Sequence, residues 1–365
     1  MTQAAASIGE VFSGTMPVAE RQRFDAARLQ AWMSAHVEGF DDGGEPIVVE
    51  QFRGGQSNPT FRITAGPKKY VMRRKPPGKL LPSAHAVDRE YRAISALARA
   101  GIPVARTYGL CEDESVIGTA FYVMDCVEGR VLWDPALPGA TKDQRRAIFA
   151  EMNRVIAALH SVDYVKANLS DYGKTGSYIE RQVARWTKQY RSSETETIDA
   201  MDRLITWLPA NIPPGDETSV VHGDYRLDNL MFHPTEPRIV AVLDWELSTL
   251  GHPLADFAYH CTAWLIPAGV FRGLGGLDLE ALGIPSQDEY LAMYCRNAGR
   301  EAVDADHWAF YLAYNLFRGA AILQGIMGRV KDGTATSRQA LEAGRAARPM
   351  AELAWQQVER ILARK

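Results

Sequence analysis

Only four cysteines, Cys111, Cys126, Cys261 and Cys295, are spread along 365 residues, and no two form a CxxC pair. That excludes a disulfide framework and a thiolate metal cage; the four read as reduced, mostly buried small side chains. No apolar run reaches the about 18 residues that a membrane-spanning helix needs. The first residues, MTQAAASIGEVFSGTMPVAERQRF, lack the basic start and apolar stretch of a secretory leader, so a cytoplasmic protein with no membrane partner is expected. An excess of one charge is also missing: 41 Lys and Arg against 44 Asp and Glu leave a net charge of −3, which offers no global field to nucleic acid. The absence of GxGxxG and GxSxG excludes a dinucleotide fingerprint and a nucleophile elbow. Gly173, Lys174 and Thr175 look like the end of a phosphate loop, but Asn168 stands where its first glycine is required. Four histidines, His222, His233, His252 and His260, fall within 39 residues at spacings that match no helical zinc pair.

What is present is an ordinary globular composition, 46% hydrophobic and 23% charged, on a chain long enough for two lobes. Charge is placed unevenly. Residues 53–106 carry twelve Lys or Arg against Asp88 and Glu90, whereas residues 1–52 carry three Arg against eight acids. A nearby anion or a solvated basic face would each account for this. A helix is predicted around Ala19 to Val37, then strands at EPIVVEQF, TFRITA and KKYVMRR, the last two joined by a turn at Gly66 and Pro67. DREYRAISALARAGIP reads as a helix stopped by Gly101 and Pro103, and VARTYGLCED and TAFYVMDCVEG add two strands. Beyond Gly129 long amphipathic helices dominate, interrupted by NLMFHPTEPRIVAVLDW. The order predicts an α+β chain, with a β-rich lobe over residues 1–127 and a larger, mainly helical lobe over 128–365.

The informative segment is VVHGDYRLDNLMFHPTEPRIVAVLDWELSTLGHPLADFAY, residues 220–259. NLMF and RIVAVL read as a hairpin in which Asn229 opens one strand and Asp244 closes the other, so the two lie side by side. Both offer hard oxygen donors of the kind Mg²⁺ takes alongside phosphates and water. Asp224, five residues before Asn229, stands where a carboxylate could accept the proton of an attacking hydroxyl, as phosphoryl transfer requires. Mere turn capping by these three residues is the alternative.

HGDYRLDN and LDWE resemble the catalytic loop and metal motif of the aminoglycoside phosphotransferase and choline kinase family. The resemblance implies a bilobal protein-kinase-like fold, ATP and Mg²⁺ as cofactors, and Asp224 as the catalytic base. It also implies a phosphate-covering turn at RGGQSNPT, with Gly54, Gly55, Ser57 and Asn58 near the nucleotide. A strand cation is implied at Arg73, paired with Glu90 on the following helix, although the adjacent Arg74 is also eligible. Arginine replaces the usual lysine, a departure that bears on turnover because a planar fork is not a point charge. Met124, Asp125 and Val127 correspond to the hinge that faces adenine. Arg226 corresponds to a cation that steadies the transferring phosphate, with an ion pair to Asp228 as the alternative. His222 and Asp256 are expected to brace the catalytic loop, and Glu246 to lie in or next to the metal's coordination shell.

RRKPPGKLLPSAHAVDREYRAISAL, DYGKTGSYIERQVARW and FRGAAILQG further resemble the phosphotransferase domain fused to acyl-CoA dehydrogenases and its free-standing bacterial relatives. That resemblance implies phosphorylation of a hydroxyacyl-CoA, notably a 4-hydroxyacyl-CoA, with an aminoglycoside or amino alcohol as the alternative acceptor. A kinase-fold protein that binds nucleotide without turnover is a further alternative. From His307 onward nine Lys or Arg face four acids, which leans toward an anionic substrate. Arg318, alone on an apolar helix, is the candidate to meet that anion, unless an internal salt bridge satisfies it.

Overall fold

The computed structural model describes residues 14–53, 58–78 and 85–364. In chain order its strands are β1 (Thr15–Met16), β2 (Val48–Phe52), β3 (Thr60–Ala65), β4 (Lys68–Arg74), β5 (Thr107–Cys111) and β6 (Phe121–Asp125). These are followed by β7 (Arg130–Val131), β8 (Ser219–Val221), β9 (Leu230–Phe232), β10 (Ile239–Val242) and β11 (Thr249–Gly251). The helices are α1 (Ala26–His36), α2 (Val87–Arg99), α3 (Lys142–His160), α4 (Tyr178–Ser192), α5 (Asp199–Ala210) and α6 (Pro253–Cys261). Then come α7 (Leu279–Leu282), α8 (Gln287–Asn297), α9 (Ala305–Lys331), α10 (Arg338–Arg345) and α11 (Ala347–Leu362). The chain divides into two compact units. One comprises Met1–Trp133, Val165–Leu169 and Leu227–Ser248; the other comprises Asp134–Tyr164, Ser170–Arg226 and Thr249–Lys365. Packing therefore groups the chain differently from chain order, because the β9–β10 hairpin belongs with the first unit.

The first unit contains a six-stranded antiparallel sheet in the order β1-β2-β3-β4-β6-β5. In β3, Phe61, Ile63 and Ala65 alternate into the core while their neighbours are less buried, the period-two pattern of a pleated strand. Leu29 and Met33 of α1 close that core over Ile63, Met72, Phe121 and Val123. Helix α1 begins at Ala26, later than the helical pattern predicts. Asp25 takes extended dihedrals and its carboxylate accepts the N–H groups of Ala27 and Arg28, which caps the helix and leaves Glu20–Gln22 as a separate turn. Helix α2 ends where Gly101 adopts φ +80° and the Ile102 N–H bonds the Leu97 carbonyl at 3.0 Å. The β9–β10 hairpin gains a third strand, β7, that the sequence pattern does not announce.

In the second unit the long α9 packs on α11, α10, α6 and α4. Capping boxes built from Thr141 with Gln144 and Ser286 with Glu289 start α3 and α8. Gly173 lies so close to β11 that a Cβ would meet the Leu250 nitrogen at 2.7 Å, so its glycine serves close packing. Among the described residues no helix is long and apolar enough to cross a membrane.

Two histidines of this unit are buried beside tyrosine hydroxyls: His260 lies 3.0 Å from Tyr290 and His252 lies 3.2 Å from Tyr311. Burial pushes both imidazoles down to about 4. An unfolded chain binds those protons first, at about pH 6.5, so the associated stability is complete above that pH and is lost as pH falls toward 4. The unfolding free energy from urea titrations should therefore drop by about 2–4 kcal/mol between pH 7.5 and pH 5. A flat profile over that range would contradict the assignment.

Candidate functional site

In the first unit, β4 carries Arg73 opposite Thr60 and Tyr122. Its side chain is 11% exposed, with Nε 3.1 Å from Glu90 Oε2 and Nη2 2.9 Å from Asp244 Oδ1. Glu246 Oε2 lies 3.8 Å from the same Nη2. The Glu90 carboxylate also accepts the Asn58 amide at 2.7 Å and the Tyr122 hydroxyl at 3.1 Å, and His85 Nδ1 lies 3.0 Å from Asn58 Oδ1. Burial alone would weaken the Arg73 cation, but Glu90, then Tyr122 and Asp244, outweigh it and raise the pKa above its ordinary value. Arg74 packs elsewhere. Its guanidinium lies over Phe24 and Phe61 at 5.1 and 5.3 Å and donates to the Gln22 carbonyl at 3.0 Å. Burial lowers its pKa to about 10. Of the two eligible arginines, Arg73 is the one that meets Glu90.

Asp244 follows β10 at φ +61°, a left-handed conformation that few residues other than glycine adopt. The Leu243 N–H bonds the Asn229 carbonyl at 2.8 Å, which draws the two ends of the hairpin together. At the end of β6, the Asp125 carboxylate accepts the Tyr108 hydroxyl at 2.5 Å and the Asp125 N–H bonds the Arg106 carbonyl at 2.8 Å. Met124 and Val127 are half-buried. Gly54, Gly55 and Ser57 lie outside the described residues.

In the second unit, α6 supports the loop that contains Asp224. The buried Asp256 carboxylate accepts the N–H groups of His222 and Gly223, each at 2.8 Å, and lies 3.2 Å from His160 Nε2. Burial would raise its pKa, but His160, then His222, hold it below the usual carboxylate value, so it remains an anion. Gly223 adopts φ +82°, open to glycine at no steric cost. His222 Nδ1 accepts the Asp224 N–H at 3.2 Å. The Tyr259 hydroxyl donates to Asp224 Oδ1, and Arg226 Nε lies 3.2 Å from Oδ2. Arg226 thus forms an ion pair with Asp224, two residues back. Arg318 donates from Nη2 to the Gly223 carbonyl at 2.8 Å, with its guanidinium 5.0 Å from the Tyr259 ring and 5.7 Å from that of Trp186. Among the described residues no carboxylate forms an ion pair with it, so the internal salt bridge considered for Arg318 does not form.

Sequence reasoning did not single out Tyr259, Tyr122, His160 or His85. For Tyr259 a signal exists: it stands three residues after Asp256 and therefore shares its helical face. The others converge from distant segments, which no local spacing reports.

Comparison with known proteins adds the lineage. The model of the phosphotransferase enzyme family matches residues 48–314. Acyl-CoA dehydrogenase family member 10 of Mus musculus is 47% identical over 343 residues, covering 93% of this chain and 32% of that protein. The chain thus spans less than half the length of the curated relatives it matches. The crystal structure of a Ralstonia eutropha protein, provisionally named an aminoglycoside phosphotransferase, is 59% identical with a TM-score of 0.86 over 93% of this chain and 99% of that one. Choline kinase from Cryptosporidium parvum shares the fold at 11% identity, with a TM-score of 0.64 over 93% of this chain and 97% of that one.

The Asp256 arrangement can be tested without a substrate. Asp256→Asn places an amide N–H₂ against one of two backbone donors and leaves the buried loop short of an acceptor. It should cost about 3 kcal/mol of unfolding free energy by chemical denaturation. A cost under about 1 kcal/mol would mean that the carboxylate does not hold the loop.

Proposed function

The chain belongs to the phosphotransferase enzyme family, and from that premise we propose that it transfers the γ-phosphoryl group of ATP, with Mg²⁺, to the hydroxyl of a 4-hydroxyacyl-CoA. The observation that carries the phosphotransfer reading is the buried Arg73 held between Glu90 and Asp244. A guanidinium fork spans two carboxylates at once, which a lysine ammonium does less well, so arginine at this position fits the same architecture. Around Arg73 the carboxylates of Glu90, Asp244 and Glu246 converge on one guanidinium.

The carboxylates of Asp244 and Glu246, with the Asn229 amide oxygen at the adjoining strand end, are hard oxygen donors of the kind a divalent cation takes. A Mg²⁺ ion usually keeps water and phosphate ligands beside one or two carboxylates. Asn229 and Asp244 would hold Mg²⁺, with Glu246 beside them, and Arg73 orients Asp244. When bound, the ion neutralises charge on the transferring phosphates. Asp224 accepts the acceptor's hydroxyl proton and Arg226 steadies the phosphoryl group. At the hinge, the Asp125 N–H is already engaged, so adenine recognition falls to the peptide groups up to Val127.

The acceptor is argued from two sides. The match covers a minor part of proteins named as acyl-CoA dehydrogenases, which supports an acyl-CoA acceptor. Arg318, half-buried and with no carboxylate in an ion pair among the described residues, disfavours a polycation such as an aminoglycoside.

ADP release with Mg²⁺ and ATP should rise with 4-hydroxyacyl-CoA thioesters and stay at background with kanamycin or choline. Stimulation by kanamycin or choline instead would overturn the acceptor class. Asp224→Asn should lose about 100-fold or more in turnover while ATP still binds. Asp244→Ala should abolish the Mg²⁺-dependent part of nucleotide affinity in a titration with and without the ion. Nucleotide binding without turnover on any alcohol would favour a binding protein.

A further inference from the structure

We propose that Tyr259 is the positioning residue of Asp224, fixing the orientation of its carboxylate through a hydroxyl donor that Arg318 holds in place. This rests on Asp224 being the base. Helix α6 performs two tasks from one face: Asp256 ties down the backbone of His222 and Gly223, and Tyr259, three residues on, ties down the side chain that follows. The Tyr259 hydroxyl donates to Asp224 Oδ1 and the Arg226 guanidinium attracts Oδ2 as an ion pair, with Nε 3.2 Å away, so the two carboxylate oxygens face different partners.

The tyrosine is itself held. Arg318 lies over its ring at 5.0 Å and bonds the Gly223 carbonyl at 2.8 Å, linking ring and loop through one guanidinium. Burial, then the charge of Asp224, raises the phenol pKa above its ordinary value, so the hydroxyl keeps its proton and stays a donor throughout the working range.

A base that rotates about χ1 or χ2 would leave the acceptor's proton out of reach for part of the time. In the transfer, the acceptor O–H proton passes to Asp224, the acceptor oxygen bonds the γ-phosphorus, and the β–γ bridging oxygen leaves with ADP. Tyr259 neither gains nor loses a proton.

The test is a double-variant cycle of Tyr259→Phe and Asp224→Asn, read as ADP release with Mg·ATP alone and with a 4-hydroxyacyl-CoA. Phenylalanine keeps the ring beneath Arg318, so this variant should melt like the parent protein. Tyr259→Phe should lower kcat by about 10- to 100-fold, with both KM values within about twofold of the parent. In the Asp224→Asn background it should cause no further loss, because it acts only through that carboxylate. A kcat within about twofold of the parent for Tyr259→Phe, or fully additive losses in the double variant, would overturn the proposal while leaving the base assignment standing. Undiminished turnover in Asp224→Asn would overturn the base assignment itself, and this proposal with it.

Discussion

A guanidinium that is nine-tenths buried must find compensating charge within reach of its own fork, and Arg73 organises its unit around that demand. Glu90 comes from α2, Asp244 from the end of the hairpin, and Tyr122 from the neighbouring strand of the sheet. Removing any of them would leave an ion in a low-dielectric surrounding, so strand, helix and hairpin are tied to one geometry. The network extends outward from Glu90 through Asn58 to His85. Asn58 is fully buried and both ends of its amide are engaged, so it holds Glu90 in place.

The second unit solves the same problem with the opposite sign. Asp256 is a buried anion satisfied by two backbone N–H groups and by His160, which in turn lies 2.7 Å from the Tyr294 hydroxyl. A loop anchored through its backbone can present Asp224 at an angle set by α6 rather than by its own flexible neighbours. The left-handed Gly223 permits the turn, and Arg318 closes it from the α9 side. Rigid support beneath a functional side chain is what pre-organised chemistry requires.

Much of this was legible beforehand. The α+β order, the paired strands around Gly66 and Pro67, and the stop at Gly101 follow from periodicity and turn chemistry, which are local properties. The closeness of the chain at Asn229 and Asp244 also followed from spacing, because a hairpin brings the ends of its strands together. The break at Asp25 is hidden by a helical pattern running through Phe24, because the cap depends on one residue's extended backbone and the reach of its carboxylate. Strand β7 was missed because two residues carry no period.

The sequence by itself determined the class of fold, the family resemblance and the residues eligible for chemistry, since each depends on residue type and short-range spacing. Only the tertiary structure chose between Arg73 and Arg74, because adjacent residues on a strand point to opposite faces and burial decides which face meets a carboxylate. It likewise set Arg226 and Tyr259 against the Asp224 carboxylate. These are contacts across turns and between elements, where the partner is selected by packing and by the cost of leaving a buried charge or donor unmatched.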